Sequence, residues 1–115
     1  MGYLIPLGGI EMDVFVYDSR LGIKVPEFET PFEELPLMER RGIIETWEDI
    51  RGQIPTRVMQ LEQIIVTKLV ELGEENNFAV SCKINSDIAE LASVINDLHI
   101  WYRVSADESE GKRHS

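Results

Sequence analysis

Apolar residues recur along this chain with two different periods. In the N-terminal quarter they alternate with polar ones, so that Met12, Val14 and Val16 share one side of an extended chain. A period of two is typical of a half-buried strand, and the polar, glycine-containing run at 18–22 is typical of a turn. The pattern therefore predicts a β-hairpin over about 10–28.

After this hairpin the apolar spacing changes to steps of three and four, which is the period of a helix. Thr30 and Pro31 are typical of a helix start, as an N-cap and a first helical residue. Pro36 follows too soon to continue that first turn. We therefore expect a helical segment over 31–51, consisting of a short turn and an amphipathic helix that begins at about residue 37.

Gly52 and Pro55 should then interrupt the helical pattern. A further helix is expected over about 56 to 72, and the next one should begin after Asn77. Helices joined by so short a connection pack antiparallel as neighbours. The sequence therefore predicts an antiparallel helical hairpin over 56–104.

Both helices of this hairpin carry apolar residues at alternating steps of three and four, the spacing of a coiled-coil seam. Lys68 is the polar member of the first stripe, and we expect its long side chain to reach past the seam to an acidic neighbour. Phe78 is expected to act as a wedge at the bend. The predicted interaction seam consists of Val58, Leu61, Ile65, Leu72, Phe78, Ile84, Ile88, Leu91, Ile95, Leu98 and Tyr102.

The predicted fold class is α+β and predominantly helical, with an N-terminal β-hairpin, an amphipathic helix and a long antiparallel helical hairpin. A chain of 115 residues, of which 43% are hydrophobic and 28% charged, is long enough for one modest core. We expect a single small domain over 1–104. The segment 105–115 has no apolar anchor and is expected to be a solvated tail.

The balance of charge narrows the classes of function. The chain has 21 acidic and 11 basic side chains and a formal net charge of -10, which repels phosphate backbones and anionic lipid surfaces. We therefore expect no direct binding of nucleic acid, and no apolar run approaches the roughly 20 residues that span a bilayer. An acidic mimic of nucleic acid is the other interpretation of this charge, and a merely soluble surface is favoured over it.

Cysteine usage and the N-terminal sequence favour a cytoplasmic location. The lone Cys82 cannot form an internal disulfide, and no basic-apolar-small signal segment precedes the predicted fold. Because Cys82 lies beside the seam, we expect it to be a small buried hydrophobe.

No catalytic constellation stands out, and we expect neither a cofactor nor a metal ion. His99 and Arg103 are four residues apart on a predicted helix, so they share a surface strip that is suited to an anion. The alternative function is therefore a small-molecule or anion-binding enzyme subunit that uses these two residues near a subunit interface. The other histidine, His114, lies in the predicted tail, and Cys82 has no nearby histidine or cysteine in the sequence.

The second half of the predicted hairpin resembles a known motif. The positions that carry the likeness are Phe78, Ser81, Cys82, Lys83, Ile84, Asp87, Ile88 and Leu91. This series is similar to the UVR motif, a helical hairpin named from the excision-nuclease subunits B and C and found also in some Clp ATPases and in activators of protein arginine kinases. The resemblance covers about 58–95. Asn85 and Ser86 stand where the family often has a basic and an acidic residue.

The resemblance implies a hairpin that pairs with another hairpin or with a partner protein. The apolar pattern also predicts pairing with a partner, because the seams and their flanking residues carry more apolar surface than one hairpin can cover against itself. The flanking residues are Ile64, Leu69, Val94 and Ile100. We therefore expect a non-enzymatic interaction or adaptor module, which forms a homodimer or docks on another helical-hairpin protein.

Overall fold

The computed structural model describes residues 14–104 and confirms the α+β, predominantly helical fold. Two short strands precede two long helices. The elements are β1 (Phe15–Asp18), β2 (Ile23–Pro26), a 3-10 turn (Phe32–Glu34), α1 (Leu37–Glu74) and α2 (Phe78–Tyr102). The expectations for Met12 and for a tail over 105–115 fall outside the described residues.

The chain divides into two compact units. The first contains the β-hairpin, the 3-10 turn, the part of α1 up to Gly52 and, further along the chain, Val104. The second unit, Gln53–Arg103, contains the remainder of α1 and all of α2. The expected single domain over 1–104 stays a prediction.

The β-hairpin closes through a turn that is organised by Asp18. Its carboxylate Oδ1 accepts a hydrogen bond from the Leu21 backbone nitrogen at 2.9 Å, and its backbone oxygen accepts one from the Gly22 nitrogen at 2.7 Å. Gly22 has a φ of 80°, in the left-handed region that glycine adopts without a steric penalty. Asp18 then pairs with Ile23 in an antiparallel ladder, so the predicted hairpin is confirmed.

The side of this hairpin that packs against the first part of α1 is that of Phe15 and not the predicted side of Val14 and Val16, since Phe15 is buried and Val16 is 45% exposed. The Phe15 ring stacks on Trp47, with 6.4 Å between ring centroids and 9° between ring planes. The Trp47 indole Nε1 donates a hydrogen bond to the Val104 carbonyl oxygen at 2.7 Å. A two-stranded hairpin is marginal alone, and this helix supplies the surface that it needs. The buried apolar residues of the first unit are Phe15, Leu21, Ile23, Phe32, Ile43, Trp47 and Ile50.

The start of the helical segment differs from the prediction in one detail. The 3-10 turn at Phe32–Glu34 confirms the short turn, but the residue that precedes it is Pro31, and no side chain caps the turn. Thr30 is therefore not an N-cap. Since Pro31 is extended, with a φ of -53° and a ψ of 138°, the turn begins one residue later, beyond the reach of the threonine hydroxyl.

Gly52 and Pro55 do not interrupt the helix, so that prediction is wrong. The α1 helix runs without a break from Leu37 to Glu74, although Pro55 has no backbone N–H to donate. The reason is burial on both sides of the proline, whose own side chain is exposed. A continuous buried stripe at steps of four, four and three holds one helix together through this point. Its members are Ile50, Ile54, Val58 and Leu61.

Replacing Pro55 by alanine should stabilise the protein. An interior helix proline costs about 3 kcal/mol, of which roughly 1 kcal/mol is offset because proline restricts the unfolded chain. We expect Pro55→Ala to raise the free energy of unfolding by about 1–2 kcal/mol, measured by urea denaturation and circular dichroism. The matched control is Thr56→Ala at the adjacent exposed position. It should raise the free energy of unfolding by less than about 0.7 kcal/mol. Equal effects of the two substitutions would contradict a local cost at the proline.

Candidate functional site

The bend between α1 and α2 consists of residues 75–77. Asn77 is the N-cap of α2, because its side-chain Oδ1 accepts a hydrogen bond from the Val80 backbone nitrogen at 3.1 Å. Glu75 Oε2 in turn accepts one from the Asn77 backbone nitrogen at 3.0 Å. The predicted helix start after Asn77 is confirmed, and with it the antiparallel helical hairpin.

The predicted seam is buried unevenly. Within the second unit, Leu98 and Ile54 are the most completely buried residues, at 0% and 1% exposure. The buried members of the predicted seam are Val58, Leu61, Ile84 and Leu98. The half-buried members are Ile65, Leu72, Ile88, Leu91 and Ile95. Two helices alone therefore leave part of the seam in contact with water.

Phe78 and Tyr102, at the two ends of α2, are exposed. Phe78 is 82% exposed, so the expected wedge at the bend is wrong. At about 100° per residue, Phe78 projects to the side of α2 opposite Leu98. Its aromatic character suggested a buried role, but its angular position on the helix determines its exposure.

Two core residues of the hairpin were missed in the predicted seam. Val94 is 4% exposed and lies three residues after Leu91 and four before Leu98, a spacing that fits a seam as well as that of Ile95. Spacing alone cannot separate these two choices. Ile54 was left out because the helix was expected to begin beyond Pro55.

Cys82 is exposed, so its predicted burial is wrong. It precedes the buried Ile84 by two residues, which places it on nearly the opposite side of α2. Its neighbour Ser81 is half-buried. Only Ser81 of this small pair therefore lies toward the seam.

A carboxylate between two lysines joins the helices on one side of the seam. Lys68 Nζ lies 3.3 Å from Asp87 Oδ2, and Lys83 Nζ lies 2.7 Å from Asp87 Oδ1. The predicted reach of Lys68 to an acidic neighbour is confirmed. The hydrogen bond from Lys83 holds the pKa of the Asp87 carboxyl below its usual 3.8; partial desolvation opposes this shift, and Lys68 reinforces it.

These ion pairs distinguish two broad faces of the hairpin. Because Lys68 and Asp87 are in contact, the sides of α1 and α2 that carry them form one face. Helical periodicity places further charged residues on the same side. We call this the charged face, and its members are Arg57, Lys68, Glu71, Lys83, Asp87, Glu90 and Asp97.

The opposite side of the seam is almost free of charge. By the same periodicity, Glu62 is the charged residue that lies within it. Leu69 is 50% exposed there, and the remaining apolar members are half-buried or exposed. We call this the apolar face, and its members are Glu62, Ile65, Leu69, Ile88, Ala92 and Ile95.

His99 and Arg103 are both exposed, one turn apart at the end of α2. The Arg103 backbone nitrogen donates to the His99 carbonyl oxygen at 3.3 Å, as expected for the last turn of a helix. The predicted anion contact at these two residues stays a prediction. Within residues 14–104, no group of three or more histidine, cysteine, aspartate or glutamate side chains is placed to hold a metal ion.

An open groove of about 550 Å³ lies in the first unit. Glutamates and apolar side chains alternate around it, and neither His99 nor Arg103 contributes. Its lining residues are Val14, Glu27, Phe28, Glu29, Thr30, Leu35 and Glu39.

No protein-family model, curated protein or solved structure matches this chain. The UVR-like resemblance over 58–95 and the homodimer therefore stay predictions. In the part of the chain that the structure describes, neither helix has an apolar run long enough to cross a bilayer.

The Asp87 ion pairs make the stability of the hairpin depend on pH. Since the folded-state pKa of Asp87 lies below 3.8, the pairs stabilise the folded state above about pH 4, and this contribution is lost as the pH falls through the folded pKa. We expect Asp87→Asn to lower the free energy of unfolding at pH 7 and to flatten its decline below pH 4. Urea denaturation at a series of pH values measures both effects.

The matched control for Asp87→Asn is Glu62→Gln, a carboxylate on the apolar face of the same hairpin. We expect Glu62→Gln to leave the pH dependence of the free energy of unfolding close to that of the wild-type chain. If the free energy of unfolding depends on pH in the same way for both variants, the two lysines do not control the ionisation of Asp87.

Proposed function

We propose that this chain is a non-enzymatic protein–protein interaction module that acts through its helical hairpin. The hairpin associates with a second copy or docks on another helical hairpin. The observation that carries the proposal is the incomplete burial of the seam, in which Ile65, Ile88 and Ile95 are only half-buried.

Exposed apolar surface of this kind has a thermodynamic consequence. Full burial of a leucine or isoleucine side chain contributes roughly 1.5–3 kcal/mol, so each half-buried member leaves at most about 1 kcal/mol that a partner surface recovers. Leu69 adds to this surface, with an exposure of 50%. Contiguous apolar patches on a small soluble protein mark interaction sites.

The UVR-like series supports the same mode of action. Phe78 and Cys82 are exposed and open to a partner, whereas Ile84 is buried in the seam. Asp87 accepts hydrogen bonds from two lysines and so contributes to the hairpin itself. We propose that the hairpin pairs as UVR-like hairpins do, as part of an adaptor.

A cytoplasmic location and the absence of a nucleic-acid partner belong to the same proposal. The thiol of Cys82 is exposed, and a reducing compartment keeps such a thiol from forming intermolecular disulfides. The net charge of -10 disfavours phosphate backbones as partners.

The substitution Leu91→Asp tests the proposal. Leu91 is half-buried in the seam, and an aspartate there places an unpaired charge in an apolar environment. We expect the dissociation constant of self-association to rise at least about tenfold, the equivalent of 1.4 kcal/mol. Sedimentation or light scattering over a concentration series measures the association, and circular dichroism reports whether the helices persist.

The control is Ser86→Asp, which adds the same charge at an exposed position of the same helix. This variant should associate like the wild-type chain. A wild-type chain that keeps the mass of one copy at every concentration would contradict self-association.

A further inference from the structure

We infer that the partner is a second copy of this chain, seated on the apolar face in an antiparallel orientation. The bend of one hairpin then lies over the open end of the other, where α1 enters the unit at Gln53 and α2 ends at Tyr102. This inference rests on the proposed function and specifies the partner and the face.

Charge selects the face. A chain with a net charge of -10 meets repulsion from its own copy wherever acidic side chains oppose each other. The charged face carries seven charged side chains, four acidic and three basic, which would lose water on burial, whereas Glu62 alone lies within the apolar face. Two copies therefore lose the least hydration of charged groups when they approach through the apolar face.

The side of the hairpin that carries the apolar face has the area that a stable dimer needs. The shorter helical stretch of the hairpin, 53–74, is about 33 Å long at 1.5 Å per residue, and two helices side by side are about 20 Å across. This gives roughly 650 Å² per copy, or about 1,300 Å² for the pair, within the range of roughly 1,200–2,000 Å² that specific interfaces bury.

Charge at the two ends of the hairpin selects the orientation. At the bend, two glutamates outside the charged face, Glu74 and Glu75, give a formal charge of -2. At the open end, Arg103 gives a formal charge of +1 beside His99, with histidine neutral, and both lie outside the charged face. Parallel packing sets the acidic bends against each other, while antiparallel packing sets each bend against an open end.

This arrangement gives His99 and Arg103 a role. Both side chains are exposed at the open end. By helical periodicity both lie on the side of α2 that borders the apolar face. In an antiparallel pair they meet the bend glutamates of the second copy, and the anion that they bind is a carboxylate group of that copy.

The face is tested by a matched pair of substitutions on α1. Leu69 and Ile64 are exposed to 50% and 43%, on opposite sides of the seam, so neither replacement removes a core side chain. We expect Leu69→Glu to raise the dissociation constant of the intact chain at least about tenfold, because it buries a charge in the interface. Ile64→Glu adds the same charge on the charged face and should change the constant less than about twofold.

The orientation is tested by exchanging charge between the two ends. Arg103→Glu makes the open end acidic, and we expect it to weaken the dimer about two- to tenfold, as two symmetric exposed contacts are lost. Adding Glu74→Lys to that variant makes the bend less acidic and should restore most of the affinity. In a parallel dimer these positions do not meet, and the second substitution would bring no rescue.

The outcomes separate the inference from the proposed function. If Leu69→Glu and Ile64→Glu weaken the dimer equally, the apolar face is not the interface. If Glu74→Lys brings no charge rescue, the two copies are not antiparallel. Neither of these outcomes contradicts self-association. A wild-type chain that stays monomeric throughout the concentration series would overturn self-association and this inference together. Sedimentation velocity of the full chain supplies all of these measurements, with circular dichroism as the check that each variant is folded.

Discussion

Burial of one continuous stripe along α1 is the constraint on which the rest of the structure depends. The stripe runs at steps of three and four, and its members are Ile43, Trp47, Ile50, Ile54, Val58 and Leu61. In the first unit, Trp47 stacks on Phe15 and donates a hydrogen bond to Val104. In the second unit, the same helix supplies half of the hairpin core. Beyond Leu61 the stripe continues as half-buried residues, and this change separates a fully buried core from a partly exposed surface.

The features that depend on local chemistry could be predicted from the sequence. The turn that Asp18 and Gly22 form needs a side-chain acceptor and a residue tolerant of positive φ, and both are visible in the chain. Asn77 marks the start of α2 because a capping side chain followed by a helical period has few other interpretations. Lys68 was expected to find an acid because a lysine in an apolar stripe needs a partner.

The errors have a common physical origin, which is that tertiary burial outweighed a local signal. Pro55 is a strong helix breaker by itself, yet burial of Ile54 and Val58 on either side keeps α1 continuous. Phe78 and Cys82 were placed by residue type, although their angles on α2 direct them to water. The candidate site was predictable as a seam but not as two faces, because the faces depend on which side chains meet across an antiparallel pair.

The Asp87 ion pairs have an effect on the surface of the hairpin that goes beyond their own energy. Exposed salt bridges contribute little to stability, and Lys83 is 75% exposed. Their larger effect is to gather charge on one broad face, since a carboxylate shared by two lysines fixes which sides of α1 and α2 are adjacent. The other face is then left apolar by default. A charge introduced on the apolar face would lose its water on burial without gaining an ion pair within the hairpin. A binding surface can therefore distinguish the two faces by the cost of desolvation, without a specific attractive contact.

In the proposed dimer, association and hairpin stability are linked through the same residues. Ile65, Ile88 and Ile95 stabilise the contact between α1 and α2 only in part while they remain half-buried. A partner that covers the apolar face completes their burial, so it adds to the free energy of holding the hairpin closed as well as to binding. By mass action, any ligand that binds only the folded hairpin raises its stability as the ligand concentration rises. Under the proposed function, a seam that is incomplete in one chain couples the folding of the hairpin to the presence of a partner.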